Sequence, residues 1–300
     1  MGGHSRSEGL SRPHGGLSIQ DAPIQEDGFA AVLLFHVSHR MFPLRTGNGI
    51  ANMRVCQHGS GYGTMPPVYD GGIRLRKLTV YPWHTGKLTR PMRLLVVSDL
   101  HNSAYADILP LLEGTDALLL PGDIANRYQQ RFERGLDFLR IASARVPTYL
   151  GVGNHEMRLK RFSEFRSAVE QLPVKFLFNR YERLGALVIG CWYRPARYGH
   201  TDILPQMEAE NGVRILMSHR PEDYHKYLQD ARVDLVLSGH AHGGQIRVCG
   251  QGLYAPGQGI LPKLTHGIVD GKMIISAGAG NTVPVPRWGN PREVLRIDLD

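Results

Sequence analysis

The sequence predicts an α/β domain, on three observations. Short apolar runs alternate with segments of helical period through the middle of the chain. Glycine and proline are abundant, 35 and 19 among 300 residues, which favours a loop-rich α/β protein over a helical bundle. Five of the apolar runs stop at side chains of the kind that bind metal ions.

Three hundred residues allow one large or two small domains with a sizeable core. Cys56, Cys191 and Cys249 are scattered and contain no Cys-x-x-Cys spacing, so no disulfide framework is expected and a reducing compartment is permitted. The net charge of +8 is uneven. Residues 1–90 hold ten Lys/Arg against five Asp/Glu, a surplus of five, and residues 91–300 account for the remaining three. A basic N-terminal third suits an anionic membrane surface or nucleic acid, and equally a solvated tail.

Taken in order, residues 1–72 read as a disordered, basic, Gly-rich extension, because Gly, Ser, Pro and His dominate and bury too little apolar surface. The apolar run Phe29–Val37 is well short of the ~20 residues that span a bilayer. It also follows Glu26 and Asp27, unlike a secretory leader. Neither a signal peptide nor a transmembrane helix is expected. The expected location is cytoplasmic, with room for peripheral membrane contact.

A domain over residues 73–300 follows. Ile73–Val80 alternates as an edge strand would. Met92–Val97, Ala117–Leu120, Thr148–Leu150, Val174–Phe178, Ala186–Cys191, Val213–Met217 and Val233–Leu237 read as strands. Helices are expected over Ala104–Leu112, Arg131–Ala144 and Phe162–Leu172. Tyr193–Asn211 is a polar connection. After Gln245, short strands (Gln245–Val248, Lys272–Ser276, Val294–Ile297) alternate with glycine-rich loops. The polar connection and the loop Gly250–His266 are expected to line the entrance to a site.

Five strand ends carry the chemistry: Asp99 and His101; Asp123; Asn154 and His155; His219; His240 and His242. Sites in open α/β sheets form beyond the carboxyl ends of the strands, so these loops can converge. Each alone has a plainer reading, since an Asp after a strand commonly caps a turn and a lone His is commonly just hydrogen-bonded. Five together, several flanked by glycine, point to metal.

The ordered set Asp-x-His (Asp99, His101), Gly-Asp (Gly122, Asp123), Gly-Asn-His-Glu (Gly153–Glu156), His219 and Gly-His-x-His (Gly239–His242) resembles the calcineurin-like metallophosphoesterase superfamily over roughly residues 91–300. The stretches Gly243–Arg247 and Ala255–Gly259 are similar to a bacterial branch that includes YkuE-type phosphodiesterases and enzymes that cleave UDP-2,3-diacylglucosamine. The resemblance implies a four-layer α/β/β/α sandwich with a dinuclear metal site at the strand ends. It assigns Asp99, His101, Asp123 and His242 to one divalent ion, and Asp123, Asn154, His219 and His240 to the other. Manganese, iron and zinc all fit.

Hydrolysis of a phosphodiester or pyrophosphate bond by hydroxide formed at the metals is the implied reaction, with His155 as the catalytic residue beside the leaving group. Glu156 could orient His155 or merely cap the next segment. One position departs from the pattern. Asn126 stands where some members carry an Asp that pairs with this histidine, so no charge from that position supports His155.

The substrate class expected is a phosphate-ester small molecule or a lipid headgroup, with a lipid- or nucleotide-linked compound in view. Phosphomonoesterase or nuclease activity is the alternative within the superfamily. A nuclease would need a basic groove with interleaved aromatics, which the sequence lacks, so nucleic acid is not the expected partner. A non-catalytic interaction module is a different class, and the retained ligand positions argue against it. No protein partner is evident.

Overall fold

A strand that is apolar on both faces must be covered on both sides, and the central strands here are of that kind. The computed structural model describes residues 69–70, 73–283 and 285–300. The extension expected over residues 1–72 lies outside the described residues, apart from Tyr69–Asp70 (β1), which pairs antiparallel with Ile73–Arg74 (β2).

The first sheet has the order β3 (Lys77–Trp83), β18 (Glu293–Leu299), β4 (Met92–Val96), β5 (Ala117–Leu120), β6 (Thr148–Gly151) and β7 (Val174–Leu177). Strands β4 to β7 are parallel, and β18 runs antiparallel to β4 and parallel to β3. The second sheet has the order β16 (Gly267–Val269), β17 (Met273–Ile275), β11 (Leu235–Ser238), β10 (Val213–Met217), β9 (Leu187–Cys191) and β8 (Arg180–Leu184). Its four inner strands are parallel and its two edge strands antiparallel.

Side chains two apart share a face, so each buried strand feeds two cores. Ala117 and Leu119 of β5 meet Leu235 and Leu237 of β11 in the core between the sheets. Leu118 and Leu120 face the other way and pack under α1 (Glu133–Ser143) and α2 (Phe162–Glu170), through Phe138, Leu139, Phe165 and Val169. The second sheet turns Val188, Leu216 and Val236 outward against Met207 of α3 (Leu204–Ala209), Tyr224 and Leu228. Helix, sheet, sheet, helix is the expected four-layer arrangement. Burial of each such large apolar side chain stabilises the fold by roughly 1.5–3 kcal/mol.

Three expectations need correction. The helix expected over Ala104–Leu112 reduces to a 3-10 turn at Leu109–Leu112, because Pro110 has no N–H to donate to residue 106. The connection Tyr193–Asn211 contains α3 and a 3-10 turn at Pro195–Tyr198. Strand β8 was not anticipated; as an edge strand with no buried residue it lacks an apolar signature.

The five strands whose ends carry candidate ligands are β4, β5 and β6, adjacent and parallel in one sheet, and β10 and β11, adjacent and parallel in the other. Among the described residues, no helix is long and apolar enough to cross a membrane.

Candidate metal centre

Asp99, His101, Asp123, His240 and His242 all adopt left-handed φ, between 47° and 67°. They make up five of the thirteen non-glycine residues with positive φ among those described, so backbone strain concentrates in these loops. Backbone bonds between neighbouring loops hold it. The N–H of Asp99 donates to Gly122 O, that of His101 to Asp123 O, and that of Gly239 to His219 O.

Two glycines are needed for closeness. A Cβ on Gly153 would lie 2.1 Å from Asp123 Oδ1, and one on Gly239 would lie 1.9 Å from Ser98 Oγ and 2.3 Å from Asp99 Oδ2.

All eight residues singled out from the sequence are buried and close together. Ligand atoms lie within 4.8 Å of one another in three groups: Asp99, His101 and His242; His101, Asp123 and His155; Asp123, His219 and His240. Asn154 Oδ1 is 3.2 Å from His219 Nε2. Asp123 stands at the middle, with Oδ2 at 3.1 Å from His219 Nε2, 3.9 Å from His155 Nε2 and 4.0 Å from His101 Nε2.

The electrostatics follow from burial and these neighbours. Burial would raise the Asp123 carboxyl, but His219, His155 and His101 outweigh it and hold the group well below its usual range. Burial pulls His219 down, yet the Asp123 charge wins and leaves it at about 9. His101, His240 and His242 lack such a close carboxylate contact, and burial lowers all three.

The set fits a divalent cation. Imidazoles with carboxylates and an amide oxygen suit manganese, iron or zinc. Within the cluster, His219 Nδ1 and His240 Nε2 are buried and have no hydrogen-bond partner, while Nε2 of His101 and Nε2 of His242 face each other at 3.2 Å. Buried polar nitrogens left in that state cost free energy, which a bound cation would recover.

His155 is held without a carboxylate of its own. Its backbone N–H donates to Asp123 Oδ1 at 2.7 Å, and its Nδ1 accepts from the Arg127 N–H at 3.1 Å. The neutral ring therefore carries its hydrogen on Nε2. Burial pushes its pKa down to about 2. Asn126 meanwhile accepts from the N–H groups of Tyr128 and Gln129 and stabilises a turn.

Glu156 has a larger part than the sequence suggested. Its buried carboxylate accepts from the N–H groups of Asp123, Ala125 and Gly153 at 2.8, 2.8 and 2.9 Å, tying the β5 and β6 loops together. Two residues escaped the sequence reading altogether. Arg287 donates to His242 Nδ1 at 3.1 Å, and Asn290 donates to His242 O at 2.7 Å. Both lie some 45 positions downstream in a loop without a motif, so no sequence signal marked them.

The family model for calcineurin-like phosphoesterases matches residues 92–244, a span that contains every candidate ligand. Over 232 residues the chain is 27% identical to the phosphodiesterase YaeI of Escherichia coli, covering 71% of this chain and 80% of that protein. It is 24% identical over 244 residues to the uncharacterized protein YpbG of Bacillus subtilis, covering 74% and 86%. An uncharacterized metallophosphoesterase of Helicobacter pylori is 24% identical over 189 residues, 58% of this chain, and the match spans only about half (51%) of that relative's length.

Proposed function

The chain belongs to the calcineurin-like phosphoesterase family, and on that premise we propose that it is a metal-dependent phosphodiesterase. Its substrate in this reading is a phosphodiester or pyrophosphate of a lipid-linked or nucleotide-linked small molecule. Asp99, His101, Asp123 and His242 would hold one divalent ion; Asp123, Asn154, His219 and His240 would hold a second, with Asp123 shared. The observation that carries the reading is the convergence of these buried ligands from five strand ends around one carboxylate.

What bound divalent ions supply is a water acidified to near neutral pH and positive charge for the phosphoryl oxygens. The protein's own part is arrangement. Asp123, reached by imidazoles from both sheets, fixes the spacing of the two ligand sets. The neutral Asn154 oxygen and the imidazoles keep the negative charge of the site low, so an anionic ester can approach. Nε2–H of His155 is free to donate to a phosphoryl or leaving-group oxygen. A second proton on Nδ1 would break its bond from the Arg127 N–H, so the ring acts as a neutral donor.

The test is hydrolysis of bis(p-nitrophenyl) phosphate and p-nitrophenyl phosphate by metal-stripped protein resupplied with manganese, with Asp123→Ala alongside. Manganese-dependent turnover that prefers the diester and falls more than about a hundredfold in the variant is expected, beyond the 10–100-fold that loss of an outer partner costs. Preference for the monoester would replace phosphodiesterase by phosphomonoesterase, and failure to bind metal would end the reading.

A further inference from the structure

Six large apolar side chains are exposed among the described residues, and four of them, Val248, Ile260, Leu261 and Trp288, share one small region. Backbone bonds join them. The N–H of Arg247 donates to Trp288 O, that of Leu253 to Ile246 O, and that of Leu261 to Leu253 O. The region contains two hairpins, β12 (Arg247–Val248) with β13 (Gln251–Gly252) and β14 (Tyr254–Ala255) with β15 (Gly259–Ile260). Three strand spacings of about 4.8 Å put Trp288 and Leu261 roughly 14 Å apart at backbone level. The Asn290 side chain bonds both His242 O and Gln245 O, which fastens this region to the candidate metal centre.

Its charge is one-sided. Residues 245–269 and 281–292 contain Arg247, Lys263, Arg287 and Arg292 and not one Asp or Glu. Arg247 and Arg287 point inward, to Gly243 O and to His242, so the outward basic charge comes from exposed Lys263 and half-buried Arg292. Exposed apolar loop tips with a tryptophan, in segments whose own charges are all basic, match the chemistry of a bilayer interface with anionic headgroups. We propose that Val248, Ile260, Leu261 and Trp288 form a docking surface for an anionic lipid membrane, which would bring the mouth of the metal centre to the headgroups.

This inference does not depend on the hydrolytic reading, because docking is measured without turnover. The full chain is sedimented with vesicles of phosphatidylcholine alone and with added phosphatidylglycerol, and its tryptophan emission is recorded. Trp192 is buried and Trp83 partly buried, so Trp288 is the reporter. Binding that needs the anionic lipid, a blue shift that disappears in Trp288→Phe, and at least about tenfold weaker partition of Ile260→Asp/Leu261→Asp are expected. The double variant should keep the parent's far-UV circular dichroism and urea midpoint, which shows that it folds. Sedimentation with unmoved emission would assign binding to another part of the chain and overturn the proposal. So would undiminished binding by the double variant, or self-association through the patch without vesicle binding.

Discussion

Asp123, at the end of β5 in one sheet, sets its Oδ2 3.1 Å from Nε2 of His219, at the end of β10 in the other. The contact crosses between the sheets at the edge where the candidate ligands meet. It holds a proton on His219, whose pKa stands near 9 in the metal-free protein although burial works against it.

Ion uptake should therefore release that proton, since an imidazole nitrogen cannot hold both a proton and a metal. At pH 7, titration of manganese into metal-free protein in buffers of different ionisation enthalpy should report about one proton released from this residue. The release should shrink toward zero as pH rises past about 9. Asp123→Asn should abolish most of it at neutral pH.

Glu156 gives the opposite pH signature, in stability. Burial first, and then the Asp123 charge, push its carboxyl from 4.5 up to about 7 against the pull of three N–H donors. The fold then holds this proton more tightly than the unfolded chain does. Its contribution is full below about 4.5 and is lost as pH rises through about 7. Urea midpoints of metal-free protein should fall across that window, and Glu156→Gln should flatten the fall. A variant that tracks the parent at every pH would remove Glu156 as the cause.

Gly239→Ala tests the close packing. The added Cβ would sit 1.9 Å from Ser98 Oγ and 2.3 Å from Asp99 Oδ2, so the His240 loop or the Asp99 loop must move. Metal affinity should fall by about 10–100-fold. Gly185→Ala supplies the contrast. That position has positive φ but nothing within 4 Å of the added carbon, so its cost should be confined to stability.

How much of this was legible beforehand varied with the physics involved. The candidate residues at the strand ends were readable because a buried strand is a short apolar run and its carboxyl end is where polar side chains can gather. The layers followed from a period of two, as Ala117 and Leu119 against Leu118 and Leu120 illustrate. What stayed hidden was long-range. Nothing adjacent to Glu156 announces that three amides from two loops will converge on it. Arg287 reaches His242 only because the loop after β17 crosses to the first sheet, where the N–H groups of Ala279 and Gly280 bond Ser98 O and Asp99 O. Local patterns were also misleading where one residue overrode them, as Pro110 did in the apolar stretch around Ile108.

The place of β18, between β3 and β4, has a consequence for synthesis on the ribosome. Lys77 pairs with Glu293 and Trp83 with Leu299, so β3 emerges from the exit tunnel long before its only sheet partner among the described strands. Until then its edge is open to chaperones, or to another nascent chain. Closing such a distant pairing is slow. The strand that completes the first sheet is thus also the one that ends this vulnerable interval.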